Sequence, residues 1–318
     1  MDRPKLRHAL IPTAAAPAGA SRLKLIARLV LGGASAIFVV VACVRLAGQW
    51  QSGKAALDWS WAAAAALPLL LGSFVVAFGW KLVLERMVGH RVPLGPSLVL
   101  HFESQLARYT PGKVGMPLVR MAGAARLGVP ASTAGYSVLI ESMSMIAAGG
   151  IVGFALLVGT LGASGNVLSA FGTLGVVALA GFTFAGIVLT LVDRRYLTGA
   201  VLRLMKAEGS GPLVPWRGAL AHAVYWLTWA VHGYLAARAV GIGSTPALHG
   251  SGFYIVAPIA GILALATPSG IGVREAVLSM GLAPLVGPAP AVATAIVSRA
   301  ISIVVDLCVW AFGRFILR

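Results

Sequence analysis

Apolar residues dominate six blocks, at about 25–47, 60–84, 133–160, 167–192, 217–240 and 288–313. Each is long enough to cross a hydrocarbon core of roughly 30 Å as an α-helix. The blocks are rich in Ala, Gly and Leu and lack the alternating segments of about ten residues that build outer-membrane barrels, so they predict helices. Between them lie two interrupted segments, about 94–130 and 250–287. The first carries RYTPGKVGMPLVR at 108–120 and the second LATPSGIGVREAVL at 265–278. Their short apolar halves and broken polarity predict two re-entrant pairs of short helices; the plainer alternative makes each segment two thin full spans, giving ten crossings.

The two breaks align. Thr110-Pro111-Gly112-Lys113-Val114-Gly115 lies over Thr267-Pro268-Ser269-Gly270-Ile271-Gly272 at an offset of 267 − 110 = 157, close to half the chain. Three predicted spans separate the copies, and an odd number of crossings inverts the second relative to the first. That is the pattern of inverted-topology repeats, whose broken helices meet near the midplane to form a substrate site. Pro111, Gly112 and Gly115, and Pro268, Gly270 and Gly272, deprive nearby carbonyls and amides of helical partners. Such backbone is tolerated where it lines a polar cavity, and the helix that follows offers N–H groups to an anion. Tight turns between full spans are the bland alternative. The expected fold is thus an all-α polytopic membrane protein with about six full spans plus two re-entrant segments. Residues 1–24 read as a disordered basic cytoplasmic tail, and 25–318 as one transmembrane domain, with repeats at about 25–160 and 167–318.

Composition agrees. Of 318 residues, 58% are hydrophobic and only 11% charged, with a mean hydropathy of +0.89, which is membrane-protein usage. The net charge of +16 comes from Lys and Arg spread over the tail and short loops, as membrane topology requires, and does not indicate nucleic acid. The cation-rich tail, the loop with Arg86 and Arg91, the loop from Arg194 to Arg217 and the C-terminal end alternate with loops poor in Lys and Arg. Both termini are therefore predicted to be cytoplasmic, in the inner (cell) membrane. The two cysteines, Cys43 and Cys308, suggest neither a disulfide framework nor a metal site. No hydrolase, nucleotide-binding or dinucleotide motif occurs, so no enzyme activity and no cofactor are expected.

Nine acidic residues are present, and Glu103, Glu141, Glu275 and Asp306 fall in or beside apolar stretches. Each costs about 2.5–3.5 kcal/mol at a helix centre unless it faces the bundle interior or finds a partner. Arg299, Ser302 and Asp306 share one helical face, as do Ser137, Glu141 and Ser144. A polar chamber between the repeats would offer Arg108, Lys113, Arg120, Arg274 and Arg299 to a phosphate, with Glu141, Glu275 and Asp306 balancing them or accepting protons. Alternatively, Arg299–Asp306 and Arg274–Glu141 are structural ion pairs. His222 and His232 read as hydrogen-bonded bundle residues, Gly149-x-x-x-Gly153 as a close-packing motif, and Trp50, Trp59, Trp61 and Trp216 as interfacial anchors.

The stretch QLARYTPGKVGMPLVRMAGAARLGVPASTAGYSVLIES resembles the membrane domain of the lysylphosphatidylglycerol synthases (multiple peptide resistance factors). There a Pro-Gly turn, an Arg, a Gly-containing linker and a Ser-x-x-x-x-Glu helix follow in order. TPSGIGVREAVL is similar to that family's second signature. The resemblance covers most of 20–318 and assigns family positions to Pro111, Gly112, Arg120, Glu141, Pro268, Gly270, Gly272, Arg274 and Glu275. Ser269 departs from it, where a second Gly is common, which puts the geometry of that turn in question. The resemblance implies a flippase-like domain moving a phospholipid or lipid-linked anionic substrate, without the soluble synthase domain. An ion-coupled small-solute transporter, or a scaffold for a lipid-modifying or glycosyltransferase enzyme, are the alternatives. Membrane lipids are the expected partners.

Overall fold

The computed structural model describes residues 57–109, 114–161, 212–264 and 267–317, with scattered positions between 180 and 188. The predicted tail, the predicted first span, most of 167–192, and Thr110, Pro111, Gly112 and Lys113 lie outside the described residues.

Regular structure among the described residues is helical: α1 (Trp59–Val88), α2 (Leu94–Leu106), α3 (Gly115–Gly123), α4 (Ala131–Leu161), α5 (Trp216–Ala239), α6 (Ser244–His249), α7 (Phe253–Leu263), α8 (Val273–Val286) and α9 (Pro288–Phe315). Single 3₁₀ turns occupy Ala107–Tyr109, Ala124–Leu127 and Pro268–Gly270. Local chemistry sets the ends. Asp58 caps α1, accepting the N–H groups of Ser60 at 2.9 Å and Trp61 at 3.3 Å. The Ser60 hydroxyl, with the Trp61 N–H, holds that carboxyl below its ordinary range. Gly89 ends α1 at φ 76, and Glu85 folds the next loop back by accepting the Val92 N–H at 2.8 Å.

Five stretches are long and apolar enough to cross a membrane: Trp59–Val88, Ala131–Thr160, Ser244–Leu263, Pro268–Val286 and Pro288–Phe315. Three coincide with predicted spans. The other two are the arms of the second interrupted segment, each assembled from shorter pieces. The arms of the first are shorter still: α2 has 13 residues and α3 has 9, about 20 Å and 14 Å of helix. The predicted span at 217–240 forms as α5 but is not among the five. Its histidines point inward, with His222 and His232 fully buried, while Leu220, Val224, Leu227 and Val231 form an exposed apolar stripe at helical spacing.

Elements recur at the offset already seen between the breaks. Trp59 and Trp216 both open helices, 216 − 59 = 157 positions apart. At the same spacing α2 ends at Leu106 and α7 at Leu263, while α4 begins at Ala131 and α9 at Pro288. Contacts repeat likewise: α3 packs on α4 as α8 packs on α9, and α2 packs on α9 as α7 packs on α4. The counterparts α1 and α5 lie against each other along their length and run antiparallel. The Asp58 N–H donates to the Ala239 carbonyl at 2.9 Å, and at the other end Arg86 Nε donates to the Pro212 carbonyl at 3.1 Å. Gly72 and Gly79 permit this approach, since a Cβ on Gly79 would stand 3.0 Å from the His222 ring. Gly149 and Gly153 do the same for Trp226 and the α7 residues Ile255 and Ile259.

Candidate functional site

The turn Ala107–Tyr109 and the turn Pro268–Gly270 are in contact, so the two interrupted segments meet. Beside them opens a cavity of about 540 Å³. Its wall includes Met116 and Pro117 from α3, Gly261 and Ile262 from α7, Ser269 from the second break, and side chains of α1, α2, α4, α5 and α9. Most are apolar; Gln105, Ser142 and Ser302 add uncharged polar groups, and Arg108, Glu141, Arg274, Arg299 and Asp306 add charge.

The second break is built by backbone conformation. Ser269, Gly270 and Gly272 have φ of 50, 68 and 84, all in the region that favours glycine. Gly270 lies directly on the backbone of Gly261, leaving no room for a Cβ. Glu275 closes the first turn of α8 by accepting the Gly272 N–H at 2.7 Å. Its other oxygen is 3.6 Å from Arg299 Nε. Arg299 Nη1 donates to the Ser269 carbonyl at 3.4 Å, and its buried Nη2 has no hydrogen-bond partner.

Arg274, the second residue of α8, is 6% exposed. Its Nη2 donates to Ser298 Oγ at 3.2 Å, and its guanidinium carbon lies 4.4 Å from the Trp229 ring centroid, a cation–π distance. His232 fixes Ser298. Its Nδ1 faces the Ala65 carbonyl at 2.8 Å and so carries the proton, while Nε2 accepts the Ser298 hydroxyl at 2.8 Å. The Ser298 oxygen is thereby left to accept from Arg274. Across the cavity Arg108 pairs with Asp306, which also accepts the Tyr109 hydroxyl at 2.7 Å.

Arg120 is held in a similar way in the first half, although the 157-residue offset does not align it with Arg274 (120 + 157 = 277). Its guanidinium carbon lies 4.2 Å from the Trp80 ring centroid, Nε donates to Ser104 at 3.1 Å, and Nη1 donates to Glu141 Oε2 at 2.6 Å. Glu141 Oε1 accepts His101 Nε2 at 3.1 Å. At the α9 position equivalent to Glu141 in α4, 141 + 157 = 298, stands Ser298. One half therefore neutralises its buried arginine and the other does not.

Five predicted site residues, Arg108, Glu141, Arg274, Arg299 and Asp306, line one cavity. Arg120 and Glu275 stand behind its wall, as partner of Glu141 and cap of α8 respectively. Lys113 lies outside the described residues, with Pro111 and Gly112. The pairs Arg299–Asp306 and Arg274–Glu141 are replaced by Arg299–Glu275, Arg108–Asp306 and Arg120–Glu141. His222 and His232 are bundle residues as expected, bonded to Ser144 and to Ser298 with Ala65. Sequence reasoning passed over Tyr109, Trp80, Trp229, His101 and Ser298. The two tryptophans carried a signal: each lies in one of the helices α1 and α5 that correspond at the 157-residue offset.

No curated protein matches this chain. The family model described as the lysylphosphatidylglycerol synthase TM region matches residues 25–309, nearly the whole length, and the chain belongs to that family.

Proposed function

We propose that this membrane protein is a translocase for a phospholipid or lipid-linked anion, acting by transport and not by catalysis. The observation that carries the reading is Arg274. This nearly buried guanidinium opens on a mainly apolar cavity at the junction of two broken-helix segments, with no carboxylate within ion-pair distance of it among the described residues. Such a group is expensive in a membrane unless a ligand uses it, and its planar fork suits a phosphate. The cavity volume suits a headgroup, while its apolar wall suits the first part of an acyl or prenyl chain. On this reading α2–α3 and α7–α8 are re-entrant segments of two inverted repeats. The short helices of the first segment and the antiparallel α1–α5 pair support that. The protein would sit in the inner membrane with both termini cytoplasmic.

Fluorescent phospholipids followed between leaflets of liposomes holding the purified protein test the proposal. Wild type moves lipid, and Arg274→Ala slows that movement about 10- to 100-fold, the worth of one or two charge-assisted hydrogen bonds, at unchanged folded yield. Parallel loss of yield and transport would make Arg274 structural. A well-folded wild type that moves no lipid would return weight to a scaffold that serves a lipid-modifying enzyme.

A further inference from the structure

Four arginines and three carboxylates gather at and just behind the cavity wall. Arg108 pairs with Asp306, Arg120 with Glu141, and Arg299 with Glu275. Arg274 remains, held by a serine hydroxyl and an indole face that bring no charge. His232 behind Ser298 adds none, because it donates through Nδ1 and accepts through Nε2. The site therefore carries one uncompensated positive charge among the described residues.

Each carboxylate is already matched in charge by an arginine. Glu141 takes Arg120 and His101, one on each oxygen, Asp306 takes Arg108 and Tyr109 on Oδ2, and Glu275 Oε1 stands 3.6 Å from Arg299 Nε without a hydrogen bond. An ammonium on a ligand would have to share a carboxylate that an arginine already balances. The unmatched charge is positive, with Arg274 on the wall and Arg299 Nη2 buried and unpartnered. Gln105, Ser142 and Ser302 offer neutral hydrogen bonding to hydroxyls.

Resting on the proposed translocase reading, we infer that the cavity selects a phosphodiester of single negative charge with an uncharged, hydroxyl-bearing headgroup. Zwitterionic and aminoacylated phosphodiesters are selected against. Arg274 and the free Arg299 nitrogen take the phosphate. One monoanion neutralises the surplus charge, whereas a zwitterion leaves a net positive charge in a desolvated site and an aminoacylated ester adds a further one.

Binding is the readout, separate from movement. The full-length protein in phosphatidylcholine nanodiscs is titrated with phosphatidylglycerol, phosphatidylethanolamine and lysyl-phosphatidylglycerol, and bound lipid is counted by native mass spectrometry. Phosphatidylglycerol is expected to bind at least about tenfold tighter than the other two, as befits one unpaired buried charge. Arg274→Gln should bring the three affinities together. Arg274→Lys, which keeps the charge without the fork, should retain the order with weaker binding and covers the case in which the Gln variant does not fold. Soluble glycerophosphoglycerol and inorganic phosphate are run as competitors. Displacement only by the lipid identifies a membrane source, and equal displacement by the soluble diester identifies a free one, both within the charge assignment. Equal affinity for the three lipids, tighter binding of the aminoacylated one, or no binding of any phosphodiester overturns it. Lipid movement in liposomes without that selectivity would sink this inference and leave the translocase reading standing.

Discussion

A guanidinium with no exposed surface must be judged by what remains when it is removed. Arg120→Ala would leave Glu141 charged, buried and short of its shortest hydrogen bond. Breaking such a pair costs about 3–5 kcal/mol, so the variant should melt markedly earlier in detergent and accumulate poorly. Arg120→Met combined with Glu141→Gln removes both charges and should recover much of the loss. A wild-type melting curve for Arg120→Ala would show that the pair does not hold the first half together. Arg274 differs because its partners are neutral, so its removal strands no carboxylate. The sequence made the burial of these charges legible but not their partners. Arg299 and Asp306 share a helix face, yet seven residues of helix put about 10.5 Å of rise between them. Asp306 instead reaches Arg108, a pairing set by how α2 lies on α9, which no local pattern encodes.

Among elements, the turn that opens α8 carries the sharpest constraint. Ser269 holds φ 50, a conformation that costs an L-residue roughly 1–2 kcal/mol, so Ser269→Gly should stabilise the protein by about 1 kcal/mol. At Gly270 the direction reverses. Its φ is 68 and its missing Cβ faces the Gly261 backbone, which cannot rotate away as a side chain can. Gly270→Ala should cost about 1–3 kcal/mol, and an unchanged melting temperature would contradict the close approach of α7 to this turn. Pro268 and the glycines announced the break in the sequence. That Ser269 adopts a glycine-like conformation was not legible, since the residue type argues against it. The character of α5 was half legible: its length and period gave the helix, but which face carries His222 and His232 depends on the neighbours that cover them.

For the molecule as a whole, the pairing of α1 with α5 fixes which loops share a side. Asp58 touches Ala239 while Arg86 touches Pro212, so the loop containing Arg91 and the loop containing Gly243 lie at opposite ends of the pair. On the proposed orientation the positively charged Arg91 loop is the cytoplasmic one. In a background with Cys43 and Cys308 replaced by alanine, Gly243→Cys should react with an impermeant maleimide on intact cells. Arg91→Cys should react only after permeabilisation, and reaction of both on one side would refute the orientation. The offset between two Thr-Pro strings anticipated the repeat, because a Pro/Gly break is a local necessity that each copy must retain. The exchange of packing between halves was not visible, because the α2–α9 and α7–α4 contacts depend on shape alone.

That exchange has a consequence for how the protein is made. α2 rests on α9, so Arg108 and Tyr109, in the turn that ends α2, meet their carboxylate Asp306 only when the last described helix has been synthesised. Until then the nascent first half holds polar side chains in the bilayer without their final cover. The insertion machinery must shelter them for most of translation, and a chain truncated before α9 should become a substrate for membrane quality-control proteases rather than a smaller working protein.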